Sequence, residues 1–277
     1  MSATGRGRPL TSLKGFIDRV ESQAATKEEY FFYRGHSNRS TYRIEPSIMR
    51  NNKTLEAEHH LFRELIATNP AEFKDDNSTL ERLARMQHHS CPTRLLDLSS
   101  NPLVALYFST KSNPDAHGEV ILFKVQKSHV KFYDSDTVSC IANLARLSFE
   151  DKEVLRTISD DEFEGCGAVK KLVHQIREEK PYFESDIHRE DLSKIVVVRT
   201  KQSSKRILAQ SGAFMIFGLV GLDENNPVPG VIIERITIDK ESKKKISRSL
   251  DALSINDASL FMDIDSSARY IKNRYSL

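Results

Sequence analysis

The chain has 277 residues, with Lys plus Arg at 41 against Asp plus Glu at 39, a formal net charge of +2. That length buries a substantial core in one large domain or two small ones, ordinary charged and hydrophobic fractions argue against wholesale disorder, and the near-balance of charge argues against a general nucleic-acid binder. Three scattered cysteines, Cys91, Cys140 and Cys166, form no CxxC pair, so neither a disulfide framework nor a structural zinc site is supported.

Residues 1–10 are small and basic with Gly and Pro, which predicts a loose tail. They have no apolar core of a signal peptide, and no later apolar run approaches a membrane span, so a cytoplasmic protein is expected. The aromatic run Tyr30 to Tyr33 reads as a buried strand with Arg34 at its exit. Thr54 to Thr68 predicts a helix capped by Thr54. Ser78 and Glu81 form a capping box opening a second helix, which carries Gln87 near its end and is stopped by Pro92. Pro102 suits the first turn of a third helix, Leu103 to Ser109, capped by Ser100 or Asn101.

Glu119 to Val125 predicts a strand. The polar stretch 127–190 reads as a variable helical insertion, with helices around Val138–Leu147 and Ala168–Glu178. Ile195–Arg199, Ala213–Gly218 and Val231–Ile238 read as further strands, with a short helix from Ser204 to Ser211 ended by Gly212. Ile246, Leu250 and Leu253 mark an amphipathic helix, and Asp265 to Tyr275 a terminal one. Strands separated by helices of unequal length make the fold α+β (mixed), a modest central sheet surrounded by helices in a single domain over 11–277.

Three groups of residues could carry chemistry. In Phe32-Tyr33-Arg34-Gly35-His36, an arginine beside a glycine suits an anion site, because the guanidinium offers a planar fork of donors and Gly admits a ligand to the backbone. An arginine paired with an acid at a turn fits the same pattern equally well. Met86 to Asp97 packs Gln87, His88, His89, Thr93, Arg94 and Asp97 between two predicted helices, where binding groups tend to sit. An Arg94–Asp97 ion pair pinning the segment is the expectation for Asp97. His89 suits an acid/base or ligand-contacting role, since imidazole titrates near neutral pH, and suits a helix end satisfied by carbonyls equally. His88, His89, Cys91 and Asp97 match no common zinc spacing, so no metal is expected. The third group is Arg206-Ile-Leu-Ala-Gln210-Ser-Gly-Ala-Phe214, which presents Gln210 at the entrance of a strand. No Walker loop, GxGxxG fingerprint or GxSxG elbow occurs.

Phe32 to Gly35, Gln87 to Asp97, Asn101 to Phe108, and Arg206, Gln210, Gly212 and Phe214 together resemble the FRG domain family. The resemblance runs from about Tyr30 to Tyr270 and implies a bacterial or phage origin. It departs at Ser90-Cys91 and Leu98, where relatives carry other residues, changes that bear on pocket shape and remove no polar group. The family has no firmly assigned reaction. More remotely, Tyr33-Arg34-Gly35 is similar to the opening motif of ADP-ribosyltransferases, which implies an Arg34 contact to the phosphates or ribose of NAD. The nearest counterpart of those enzymes' later glutamate is Gln210, which lacks the negative charge that stabilises an oxocarbenium-like transition state.

The expectation is therefore an NAD- or nucleotide-using enzyme, ADP-ribosyltransferase-like, in which Arg34, His89 and Gln210 are catalytic, with Glu184 as a further candidate acid. Tyr33, Gly35, Gln87, His88, Thr93, Arg94, Asp97, Asn101 and Arg206 would bind the ligand. The alternative is a non-catalytic module that senses a phosphate-bearing small molecule or a protein partner. Nucleic-acid binding through Lys240 to Lys245 and Arg248 is the weakest reading, because that run looks like the solvated face of a helix.

Overall fold

The computed structural model describes residues 8–23, 27–201, 204–222 and 228–276. Its organising element is β1, Glu29–His36, the aromatic run read from the sequence but extended past Arg34, so that arginine lies within the strand rather than at its exit. β1 pairs over its whole length with β3, Gly118–Gln126, which pairs in turn with β7, Val231–Ile238. On the other side lie β2 (Leu95–Ser99), β6 (Gly212–Phe217), β5 (Ile195–Arg199) and the short β4 (Val130–Phe132). The order is β4-β5-β6-β2-β1-β3-β7, antiparallel throughout except for β4 with β5.

The two halves of this sheet meet weakly. β1 and β2 share a single residue pair, Tyr33 with Ser99, whereas β2 and β6 share five and β1 and β3 share eight. The helices follow the same division. Leu95, Phe214 and Ile216 pack on the Thr79–His88 helix through Leu80, Leu83 and Met86. Tyr33, Val120 and Leu122 pack on the Pro102–Thr110 helix and on Ile246 and Leu250 of the Lys243–Ala252 helix. On the opposite face Phe32, Leu96, Ile121 and Met215 form a common apolar layer, closed by Ile44 and Val228 from connecting segments. The sheet curls, since Val130 at one edge joins the same layer as Val125 and Val231 at the other.

Several local expectations change. The first predicted helix is two, Asn52–Glu56 and Glu58–Thr68, and its cap is Asn51, while the Thr54 hydroxyl bonds the Asn51 carbonyl at 2.7 Å. The Ser78–Glu81 capping box forms as read, but its helix ends at His88, before Pro92, because Ser90 turns left-handed at φ 63°. Asn101 caps the Pro102 helix by accepting from the Leu103 N–H at 2.9 Å. Ser211, at φ 47°, makes the turn expected of Gly212, which instead opens β6. β2 falls between two predicted helices where no strand is expected: Leu-Leu-Asp-Leu-Ser has no β-branched residue, and its strand geometry comes from pairing with β6. Leu253, expected on a helix face, is an exposed cap residue. The predicted tail falls partly outside the described residues, and Leu10 at its end bridges Ile238 of β7.

The 127–190 stretch opens with β4, which was not expected, and is otherwise largely helical as expected, with an unpredicted helix, Phe149–Thr157. It has its own apolar cluster, including Leu144, Leu155, Leu172 and Ile176. It is fastened to the sheet by charge. Glu58, fully enclosed, accepts from Arg94 Nε at 2.9 Å and Nη2 at 2.5 Å, and from Lys152 Nζ at 2.7 Å. Burial pushes the Glu58 carboxyl up, but Arg94 and Lys152 more than offset this and hold it below the usual carboxylate range. Breaking such a buried group leaves an uncompensated charge and costs about 3–5 kcal/mol. Glu58→Gln is therefore expected to lower the unfolding free energy by about that amount in urea denaturation. A loss under about 1 kcal/mol would show that these charges hold nothing together.

Candidate functional site

Where β1 and β2 diverge, the sheet leaves a cleft of about 250 Å³ lined by Tyr33, Arg34, Asp97, Phe108, Arg206 and Gln210, among others. A small recess bounded by Gln87, His88, Arg206 and Phe214 adjoins it through the shared residues Asp97, Leu98, Arg206 and Gln210. Three sequence-distant segments thus converge: β1, the end of the Thr79–His88 helix with β2, and the Lys205–Ala209 helix leading into β6.

Arg34 is held at two points. Its Nη1 donates to the Asp97 carbonyl at 2.7 Å, taking an acceptor that the diverging β1 backbone leaves unpaired. Its Nε donates to His36 Nε2 at 3.1 Å. His36 must then be the neutral tautomer with hydrogen on Nδ1, and that N–H donates to Glu119 Oε1 at 3.0 Å. Arg235 Nη1 reaches the same oxygen at 2.7 Å. Burial, with the nearby Arg34 and Arg235 charges, lowers the His36 pKa despite its hydrogen bond to Glu119. Arg34 Nη2 has no protein partner among the described residues. Burial also lowers the Arg34 pKa, but a guanidinium starts so high that it stays charged.

Arg206 donates from Nη1 to the His88 carbonyl at 3.1 Å and lies over the Phe261 ring at 4.7 Å. Among the described residues neither Arg34 nor Arg206 has a carboxylate within ion-pair distance, so both bond to neutral groups, while Asp97 acts on both, and Asp263 on Arg206, only from longer range. Asp97 is the one carboxylate among the described residues that line the cleft or its recess. Its Oδ2 accepts from Gln87 Nε2 at 3.0 Å, and the Thr93 hydroxyl donates to Gln87 Oε1 at 2.7 Å, which fixes the direction of that amide.

Other expected residues lie elsewhere. Arg94 is 1% exposed and belongs to the Glu58 group, donating also to the Phe217 carbonyl at 2.8 Å, so the expected Arg94–Asp97 pair does not form. Thr93 is buried and reaches the cleft only through Gln87. His89 is exposed at the helix end, stacked on His88 with ring centres 5.0 Å apart, and lines neither chamber. His88 lines the recess, its pKa lowered by burial and then by Arg206. Gln210 lines both chambers and donates one of its two amide N–H bonds to the Leu260 carbonyl at 3.1 Å. Asn101 is a helix cap, and Glu184 lines neither chamber. Lys243, read as solvated, is 3% exposed and donates to the Ser37, Ser112 and Asn113 carbonyls.

Glu119 and Arg235 were not among the expected residues, and His36, which closes the Phe32–His36 group, was given no role of its own. Only His36 had a local signal, since it follows Arg34 by two in a strand and so shares its face. Glu119 and Arg235 come from strands far along the chain, with nothing local to mark them.

A family model described as FRG domain matches residues 29–118. The chain carries an FRG domain. The matched FRG segment runs from β1 to the start of β3 and contains Arg34, Gln87 to Asp97 and the Pro102 helix, whereas Arg206 and Gln210 lie beyond it. No curated protein and no solved structure matches the chain.

The glycine of the FRG segment's Tyr-Arg-Gly serves packing. A Cβ on Gly35 would sit 1.9 Å from the Ala105 carbonyl oxygen and 2.7 Å from the Ser109 nitrogen, both backbone atoms of the Pro102 helix. Gly35→Ala must push strand and helix apart, and overpacking of this kind costs roughly 1–3 kcal/mol or more. Chemical denaturation is expected to show at least that loss with no ligand present. Unchanged stability would return Gly35 to the ligand-approach role read from the sequence.

Proposed function

We propose that the cleft between β1 and β2 binds the phosphates of a nucleotide, and that the protein is an NAD- or nucleotide-using transferase. The observation that carries this reading is the pair of guanidinium groups, Arg34 and Arg206, lining one cleft with no acid neutralising them within ion-pair range among the described residues. Charge-assisted contacts from such groups to a phosphate contribute about 1.5–3 kcal/mol each. At 250 Å³ the cleft is just below the range of about 300–1,000 Å³ usual for drug-sized ligands, so it suits a ribose with its phosphates, the rest of a dinucleotide lying outside.

On this reading the electrostatic role passes from Gln210 to Asp97. Gln210 is uncharged and anchored through one amide N–H to Leu260, whereas Asp97 brings a negative charge to the cleft with one oxygen oriented by Gln87. A carboxylate there favours a transition state that develops positive charge, as at the sugar carbon of a nucleotide losing its base. The likeness of Tyr33-Arg34-Gly35 to ADP-ribosyltransferases agrees with that chemistry. A module that binds the nucleotide without turning it over is the second reading, supported by the same arginines and by the missing charge at Gln210.

ADP-ribose at a hundredfold excess over its Kd is expected to stabilise the fold by about 2.7 kcal/mol, visible as a raised Tm. Arg34→Lys should lose most of that gain while still folding, because lysine keeps the charge but not the planar fork. Release of nicotinamide from NAD by wild type, lost in Asp97→Asn, supports the enzyme. Stabilisation without release points to the module, and no stabilisation by any nucleotide at millimolar concentration rejects the site.

A further inference from the structure

The cleft arginine is backed by a buried chain that no sequence motif announces. Arg34 Nε–H meets His36 Nε2, His36 Nδ1–H meets Glu119, and Arg235 meets Glu119 from the other side. His36 and Glu119 are 4% and 2% exposed, while Arg235 opens onto a separate groove with Arg39, Tyr42 and Arg43. We propose that His36 is the positioning residue of the anion site, presenting Arg34 to the cleft only while its ring is neutral, so that one proton on His36 weakens anion binding and Arg235 sets the pH at which it does so. This rests on the nucleotide reading above.

Two anchors, the Asp97 carbonyl on Nη1 and the His36 ring on Nε, fix the guanidinium plane and leave Nη2 for a ligand. A protonated imidazole carries N–H on both nitrogens and accepts from neither. Two donors, both cationic, would then face each other across the present 3.1 Å contact. Arg34 cannot shed its proton, so it must turn away.

The groups facing His36 are Glu119 from β3, Arg235 from β7 through Glu119, Arg34 on its own strand, and the Tyr42 ring with centres 5.7 Å apart. Burial and the two arginines oppose protonation and Glu119 favours it. The balance lies below the ordinary 6.5, so the ring is neutral at pH 7 and the switch lies on the acid side. A charged His36 also attracts an anion, but at longer range than the directional Arg34 contacts that it misaligns.

The test is calorimetric titration with ADP-ribose between about pH 5 and 8, where imidazoles titrate and the probe's diphosphate diester does not. Each protein also carries His88→Gln, because His88 lines the recess and titrates nearby. Affinity is expected to fall as pH falls through the lowered His36 pKa, which the ring's own NMR titration reports. His36→Phe should bind about tenfold or more weakly at every pH, having lost the Arg34 acceptor. His36→Gln supplies an acceptor that does not titrate, and should recover most of that loss with a flat pH profile. Arg235→Met leaves the cleft wall untouched, removes a cation that opposes the proton, and should move both the NMR and the affinity midpoints to higher pH.

Affinity indifferent to His36 ionisation, or unmoved in Arg235→Met while the ring's titration shifts, overturns the proposal alone. ADP-ribose binding that grows stronger as His36 protonates overturns it as well. Absence of ADP-ribose binding at every pH removes the nucleotide reading and this proposal with it.

Discussion

The single residue pair between β1 and β2 is the constraint on which the site depends. Strands that stay paired fill the space between them with backbone hydrogen bonds and leave no room for a ligand. Here the strands meet only at Tyr33 and Ser99, and the Asp97 carbonyl would be left without a donor at the centre of the sheet. Arg34 supplies it, and in doing so places a fixed positive charge at the mouth of the gap. The same guanidinium that completes the sheet therefore defines the cleft.

The arginines divide by the company they keep. Arg94, enclosed, has a carboxylate and two carbonyls, and its charge is spent on holding the 127–190 helices to the sheet through Glu58 and Lys152. Arg34 and Arg206 are bonded to an imidazole and to carbonyls, which satisfy geometry without cancelling charge. A buried ion pair is electrostatically closed, whereas a guanidinium held by neutral acceptors still attracts an anion. That distinction separates structural from available charge, and it requires the partners to be known.

Hydrophobic alternation and capping chemistry are local, and they were legible in part, for the cap expected at Thr54 is Asn51 and the turn expected at Gly212 is made by Ser211. The Ser78–Glu81 box, a cap at Ser100 or Asn101 before Pro102, and the strands around Val120, Val197 and Ile233 follow from residues within a few positions of one another. β2 was not legible, because Leu-Leu-Asp-Leu-Ser is a strand only by virtue of β6 beside it. Lys243 misled for the same reason: a lysine in a basic run looks solvated until three carbonyls from β1's end and the Pro102 helix's end close around its ammonium.

By itself the sequence determined an α+β chain, most of its strands, the Ser78–Glu81 capping box, and the two segments, Phe32 to Gly35 and Gln87 to Asp97, from which much of the cleft is built. Tertiary structure alone decided which polar side chains face it. Arg94 and Asp97 are three positions apart, yet one is walled in against Glu58 and the other opens to solvent, because that stretch turns into a strand whose alternate residues point to opposite sides. Partners such as Glu58 for Arg94 and Glu119 for His36 lie 36 and 83 positions away, and no local pattern encodes a pairing made only when separate strands and helices meet.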